Sequence, residues 1–478
     1  MNIIQIMTDA NLFGPAFGNQ VTWRAWRVFL RAVFGLPMSV EDTAIFERHT
    51  GRTRPPTAPA KEAWAICGRR GGKSRIAATE AVYLACFRDY RSILAPGERG
   101  TLPIIAADRR QARNVFRYVN GLLNGCPMLA GLVASRTAES VELTNGVTIE
   151  VHTASFRSIR GYTVIGAVCD EIAYWRSDDS ANPDREILAA LRPAMATVPG
   201  ALLVAISSPY ARRGVLWDAY RRSYGQDGDV LVWQAPTRAM NPLVPEHFIA
   251  EAYEADEASA AAEYGAEFRR DIESFIPRET VEACVVPGRF ELPRRWDAYY
   301  AAFVDPSGGS ADSMTLAIAH RESDGTAVLD ALREVRPPFS PDAVVQDFAA
   351  LLRSYSIAQV MGDRYAGEWP RERFAAHGIT YQACEKPKSE LYALLLPMLN
   401  SRKVALLDHP RLVSQLCALE RRTAWAGRDS IDHPPGGQDD AANAVAGAVA
   451  ALTLQGNGLF EWYRLRYEAR QRGLPVPA

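Results

Sequence analysis

Lysine is nearly absent from this sequence: five of its 54 basic side chains are lysines and the rest are arginines. Arginine forks suit phosphate groups, but an arginine- and alanine-rich composition also follows from genome base content, so the bias alone assigns no partner. Neither sign of charge is in excess. A net charge of −1 excludes a global basic field and leaves any nucleic-acid contact to local patches. The seven cysteines include no C-x-x-C pair and no Cys/His grouping at zinc spacing, the pattern expected of reduced, mostly buried thiols in a cytoplasmic protein. No uninterrupted apolar run approaches the length of a membrane span, and the first ten residues carry Asp9 without a basic start, so no secretion signal is expected. What is present is a chain of 478 residues, 48% hydrophobic and 23% charged, as in globular proteins of two or three domains.

The most informative stretch is CGRRGGKS at 67–74. An apolar run at 63–66 precedes it and a helix-compatible run at 76–87 follows, so it reads as strand, glycine-rich turn and helix. That is the context of a phosphate-binding loop, in which backbone N–H groups and the helix N-terminus surround an anion. Lys73 then neutralises the β and γ phosphates and the Ser74 hydroxyl ligates Mg²⁺. The pattern G-x-x-x-x-G-K-[ST] asks for glycine where this chain has Cys67. The alternative is a glycine-rich turn with an accidental Gly-Lys-Ser.

Upstream, residues 21–35 space Trp23, Trp26, Leu30 and Phe34 as an amphipathic helix, either a packing helix or, with Asn19 and Gln20, a wall near the adenine of a nucleotide. Downstream, 102–107 reads as a strand and 109–123 as a helix, and Asn145-Gly146 marks a hairpin between 141–143 and 147–151. An apolar strand from 164 ends in Asp170-Glu171. A carboxylate for the Mg²⁺ shell and a second one to take a proton from the attacking water are what an ATPase site needs at that position. Just before it, Arg157 and Arg160 are surface charges or candidates for an arginine reaching a γ-phosphate. A strand at 201–206 ends in Ser207-Ser208-Pro209, a polar tip facing the ligand crevice of an open α/β sheet, or a plain turn.

From about residue 235 the pattern changes to a small helical subdomain (246–260 and 263–271), then an irregular connection at 274–295 rich in proline. A second α/β unit follows: a strand at 299–304 ending in Asp305, strands at 313–320 and 326–335 turned at Asp324-Gly325, a helix at 342–355, and a strand at 357–361 leading to Asp363. After these come a helix at 389–400, a strand at 404–407, a helix at 410–422, and a small-residue helix from Asp439-Asp440 through 452. A three-strand meander followed by this alternation is the order of the ribonuclease H-like fold. Asp305, Asp363 and one of Asp439 or Asp440 fall where a two-metal nuclease needs carboxylates, since two Mg²⁺ or Mn²⁺ ions about 3.5–4 Å apart activate a water and stabilise the leaving oxygen. Asp312 and Glu368 rank behind them. The tail at 462–472 mixes aromatics with arginines, as a solvated helix or a basic arm.

A phosphate-loop ATPase followed by a ribonuclease H-like nuclease resembles the large terminase subunit of tailed bacteriophages. The resemblance runs over roughly 22–454 and rests on GRRGGKS at 68–74, CDEIAYW at 169–175, SSP at 207–209, VDPSGG at 304–309, GDRYAGEW at 362–369 and HPPGGQDDAANAVAG at 433–447. It implies an α/β chain with an N-terminal phosphate-loop (RecA/ASCE-like) ATPase domain at 1–235, a helical subdomain and linker at 236–295, a C-terminal ribonuclease H-like nuclease domain at 296–456 and a tail at 457–478. It also implies that Gly68, Arg69, Arg70, Gly71, Gly72, Lys73 and Ser74 bind ATP, that Asp170 holds Mg²⁺ and that Glu171 is the catalytic base. Arg160 is the expected trans-acting arginine, with Arg69 or Arg70 acting within the loop, and Ser207-Ser208 the coupling motif. Asp305, Asp363 and Asp440, with Asp439 close behind, are the expected ligands of Mg²⁺ or Mn²⁺ at the nuclease site.

The implied activity is ATP-driven movement of double-stranded DNA into a procapsid and endonucleolytic cutting of concatemeric DNA. The implied partners are a small terminase subunit and a portal ring, with a pentamer as the working state, in the host bacterial cytoplasm and with no membrane. Two departures stand out: Cys67 replaces a glycine, and Gln438 precedes the acidic pair where similar chains often carry histidine. The rival readings are a repair-type ATPase/nuclease, which would need a second motor domain not found at 235–295, and a nucleotide-binding assembly protein without nuclease activity.

Overall fold

The computed structural model describes the chain except residues 155–160, 176–182, 311, 364–367, 424–428, 435–436 and 456–478. The described residues fall into two compact units that divide between Asp271 and Ile272, inside the 236–295 segment.

The first unit is built on a nine-stranded sheet of β1 (Glu62–Cys67), β2 (Gly100–Ala106), β3 (Val133–Arg136), β4 (Ser140–Leu143), β5 (Val147–Thr153), β6 (Thr163–Val164), β7 (Gly166–Asp170), β8 (Leu202–Ser207) and β9 (Val230–Ala235). Its order is β3-β4-β5-β2-β7-β8-β1-β9, with β6 beside β2. From β5 to β9 neighbouring strands run parallel. Both faces of such strands are covered, and they read as unbroken apolar runs: β2 and β8 are buried at every position. One strand, β8, separates the phosphate-loop strand β1 from the acid-bearing strand β7, which is the RecA/ASCE-like arrangement. Helices α1 (Arg24–Val33), α2 (Lys73–Phe87) and α3 (Arg109–Asn124) pack against this sheet. The expected helix over 263–271 is not formed: the helix Glu257–Glu263 stops at Tyr264, and Gly265 then approaches the Tyr253 hydroxyl and the Ala261 carbonyl so closely that a Cβ would lie 2.6 Å from each.

The second unit has a three-stranded sheet of β10 (Ile272–Ser274), β17 (Glu420–Thr423) and β18 (Asp429–Asp432). Its main sheet holds β11 (Tyr300–Asp305), β12 (Met314–Arg321), β13 (Ala327–Val335), β14 (Gln359–Gly362), β15 (Thr380–Ala383) and β16 (Val404–Ala405). The order is β15-β14-β11-β12-β13-β16, with β12 antiparallel to both neighbours and β14 parallel to β11, the ribonuclease H-like order. Side chains alternate across a strand. Ala301 and Phe303 of β11 therefore join one core with helices α5 (Lys388–Asn400), α6 (Pro410–Ala418) and α7 (Asp440–Gln455). Tyr300, Ala302 and Val304 join the other, with α4 (Pro341–Ser354). The expected helix over 410–422 ends at Ala418, and the chain turns at Leu419 into β17. There it pairs with β18, next in the chain, and with β10, remote in sequence, so strand pairing overrides the local helical pattern.

The alanines of α7 let it lie close on β11 and β12. A Cβ added at Gly447 would fall 2.2 Å from Cγ of Phe303. Gly447→Ala is therefore expected to destabilise the second unit by about 1–3 kcal/mol, the usual cost of overpacking, read as a lower midpoint in urea unfolding. An unchanged midpoint would show that α7 does not pack this closely.

Candidate functional site

Residues 68–72 connect β1 to α2, and three loop carbonyls are tied back from outside the loop. Thr237 Oγ1 donates to the Arg69 carbonyl at 2.7 Å, Asn241 Nδ2 to the Arg70 carbonyl at 2.8 Å, and Trp26 Nε1 to the Gly71 carbonyl at 2.7 Å. With those carbonyls engaged, Gly72, Lys73 and Ser74 at the start of α2, where N–H groups lack intrahelical partners, line a cleft of about 1280 Å³. Positive φ at Arg70 and Gly72 makes the turn. Gly72 needs to be glycine also because a Cβ would meet the Trp23 and Trp26 rings at 3.1 and 3.2 Å. Cys67 belongs to β1 and is fully buried, so the position needs no glycine. Burial pushes its thiol up to about 12, and its carbonyl accepts from Lys73 Nζ at 2.8 Å.

Lys73 links the loop to the other strand ends. Its ammonium donates to Ser208 Oγ at 2.8 Å and lies 3.3 Å from Glu171 Oε1. Glu171 Oε2 accepts from the Ser208 backbone N–H at 2.9 Å and from Ser207 Oγ at 3.0 Å. Glu171 has φ 48°, a left-handed conformation that costs a non-glycine residue about 1–3 kcal/mol and clusters at active sites. Asp170, at the end of β7, is buried, and its Oδ1 has no partner among the described residues. Burial, with Glu171 adding to it and Lys73 opposing, pushes its carboxyl up to about 8. An orphaned carboxylate oxygen on β7 and the Ser74 hydroxyl in the first turn of α2 are donors of the kind that fit a hard divalent cation. Ser208 thus joins Lys73 to Glu171, and Ser207 holds the same Glu171 oxygen.

The cleft is also lined by Phe17, Trp23, Arg75, Asn114, Arg117 and Tyr118. The Arg75 guanidinium lies 5.0 Å from the Phe17 ring and 5.1 Å from the Trp23 ring. Asn19 lines the cleft, whereas Gln20 is engaged by Arg27 and the Met7 carbonyl. Arg69 pairs with Glu263 at 3.0 Å, and Arg70 is exposed. Arg157 and Arg160 lie outside the described residues. Replacing Trp26 with Phe removes one donor and leaves the buried Gly71 carbonyl unpaired. A loss of about 1–3 kcal/mol is expected, with weaker binding of a fluorescent ATP analogue; unchanged affinity would mean the loop is not held by this bond.

In the second unit, Asp305 ends β11 and Asp363 follows β14. The register pairs Val304 with Gly362, so the next residues bring the two carboxylates to the same end of adjacent parallel strands. Asp439 and Asp440 open α7, whose packing on β11 lets Asn443 Nδ2 donate to Asp305 Oδ2 at 3.0 Å. Gln415 Oε1 accepts from the N–H groups of Ala441 and Ala442 at 2.8 and 3.0 Å, satisfying first-turn donors that otherwise lack partners. Burial, with Asp440, Asp439 and Asp363 nearby, raises Asp305 well above the usual carboxylate range against the Asn443 hydrogen bond. Burial and the Asp439 charge push Asp440 up to about 6, and its Oδ2 has no partner among the described residues. Converging acids with an unsatisfied buried oxygen form an oxygen-rich set that fits Mg²⁺ or Mn²⁺. Gln438 accepts from Arg411, which is itself paired with Glu334 at 2.8 Å. Asp312 and Glu368 are exposed, and Glu368 lies 3.4 Å from Arg371.

Several contributors carry no sequence signal of their own. Thr237, Asn241 and Glu263 reach the loop from more than 160 residues away. Asn443 had a weak signal, lying one turn after Asp440 on the same helical face.

No protein-family model matches the chain, and no curated protein sequence matches it. Among solved structures it is similar to the large terminase of bacteriophage HK97, with 18% identity over 90% of this chain and 99% of that one and a TM-score of 0.37. It is similar to the large terminase of a thermophilic bacteriophage in complex with ADP, with 12% identity over 92% of this chain and 100% of that one and a TM-score of 0.39. It is also similar to the large terminase nuclease of a different thermophilic phage, G20c, with bound magnesium, with 18% identity over 36% of this chain and 94% of that one and a TM-score of 0.32.

Proposed function

We propose that this chain is an ATP-driven DNA-packaging motor subunit that also cuts DNA, in the manner of the large terminase subunits its motifs resemble. The observation that carries the reading is the pairing, in one chain, of a braced phosphate loop whose Lys73 touches Glu171 with a second sheet whose strand ends bring Asp305 and Asp363 together with Asp440 at the start of α7.

At the first centre, Lys73 and the N–H groups at the start of α2 bind the phosphates, with Ser74 and Asp170 holding Mg²⁺. Glu171 accepts the proton of the attacking water, and Ser207-Ser208 connects that event to the rest of the sheet. At the second, Asp305, Asp363 and Asp440 hold Mg²⁺ or Mn²⁺, with Asn443 orienting Asp305. Divalent cations supply Lewis-acid stabilisation of phosphate oxygens and a more acidic bound water. The first centre hydrolyses ATP to move, and the second cuts, double-stranded DNA in the host cytoplasm, with a small terminase subunit and a portal ring as partners and a pentamer as the working state. Among the described residues no helix is long and apolar enough to cross a membrane.

The test is ATP hydrolysis by the full chain with purified procapsids and linear duplex DNA. DNA protected from nuclease inside procapsids only when ATP is present supports the reading. Hydrolysis and cleavage without protected DNA would favour the repair-type alternative.

A further inference from the structure

The two adjacent aspartates at the head of α7 have different surroundings. Asp440 Oδ2 has no partner among the described residues. Asp439 Oδ2 accepts from the Tyr392 hydroxyl at 2.7 Å and from Lys388 Nζ at 3.2 Å. Lys388 and Tyr392 are one turn apart on α5 and so share a face. Tyr392 is fully buried, which fixes the oxygen it holds. Lys388 Nζ also lies 2.6 Å from Asp432 Oδ1, and its side chain keeps about a third of its surface exposed. An ammonium has three N–H donors; Asp432 and Asp439 account for two, which leaves one for a ligand at this partly exposed side chain. A phosphodiester approaching a centre of several carboxylates needs such a fixed cation to offset the repulsion.

We propose that Lys388 is a phosphate contact of the second unit's centre, held in place by Asp439, Tyr392 and Asp432, and that Asp440 rather than Asp439 takes the metal. The proposal rests on the nuclease reading above. Asp439 then works through Lys388, and the two neighbouring acids divide the labour: one binds the cation from solution and the other holds the cation built into the chain.

The experiment uses the full chain and its variants Lys388→Met, Lys388→Arg, Asp439→Asn and Asp440→Asn. Two readouts are independent of turnover: Mn²⁺ binding by calorimetry, and binding of a short DNA duplex in Ca²⁺ as a function of salt. Asp440→Asn is expected to weaken Mn²⁺ binding by at least about tenfold, given that even supporting residues of metal sites cost 10–100-fold, while Asp439→Asn changes it little. Lys388→Met and Asp439→Asn are both expected to weaken duplex binding and to lower its salt slope by about 0.9, the amount lost with one phosphate contact. Lys388→Arg retains both.

Loss of Mn²⁺ binding in Asp439→Asn equal to that in Asp440→Asn would overturn the proposal, as would an unchanged salt slope in Lys388→Met. If Lys388→Met does not fold, Asp432→Asn replaces it, with a reduced slope expected and an unchanged one contradicting. Wild-type chain that neither cleaves plasmid nor binds Mn²⁺ would sink the nuclease reading itself. Wild-type cleavage with an unaltered Lys388→Met slope would sink only the role of Lys388.

Discussion

Glu171→Gln is expected to lower the rate of ATP hydrolysis by about 10²–10⁴-fold, the contribution of a positioned general base, while ATP binding survives. The amide keeps the shape of the carboxylate and its acceptor toward the Ser208 N–H. It cannot take a proton from water, and it removes the negative charge 3.3 Å from Lys73. Lys73, Ser74 and the braced carbonyls of 69–71 remain to hold the phosphates. Turnover and equilibrium binding of a fluorescent ATP analogue, measured on the same preparation, separate the two effects. Turnover within twofold of wild type would remove Glu171 from the chemistry.

Asp305→Ala and Asp440→Ala are each expected to reduce Mn²⁺-dependent cleavage of supercoiled plasmid by about 10³-fold or more, since Lewis-acid stabilisation is worth several kcal/mol, and to leave ATP hydrolysis intact. Asp305 is held by Asn443, and its carboxyl responds to Asp440, Asp439 and Asp363. Asp440, pushed up to about 6 by burial and its neighbour, is protonated below that pH and must lose the proton to bind a cation. Mn²⁺ affinity therefore rises as pH increases through 6. Cleavage by Asp305→Ala at the wild-type rate would place the nuclease elsewhere.

The sequence made the contiguous chemistry legible. The loop, the Asp170-Glu171 pair and the Asp439-Asp440 pair each gather candidate site residues into a short stretch next to a strand or helix end, and the strands that carry the first two were visible as apolar runs. What escaped reading is set by long-range packing. Strand β9 completes the sheet beside β1, yet VLVWQA carries no turn signal tying it there. Residues 420–423 continue a helical pattern but form β17 because the distant β10, as well as β18, pairs with them. The distinction between Asp439 and Asp440 depends on Lys388 and Tyr392, about 50 residues earlier on another helix, and no local pattern holds that information. Glycine was expected at position 67 from a motif alone; the structure shows a strand end, where a side chain is tolerated.

The most direct test of two centres in one chain is a crystal structure of the full protein soaked with ADP and Mn²⁺. The account predicts the diphosphate on the N–H groups at the start of α2, with Lys73 turned from Glu171 toward it, and Mn²⁺ bound by Asp305, Asp363 and Asp440 with Lys388 still on Asp439. Nucleotide bound away from residues 68–74, or Mn²⁺ held instead by the neighbouring group of Asp432, His433 and Asp439, would contradict it.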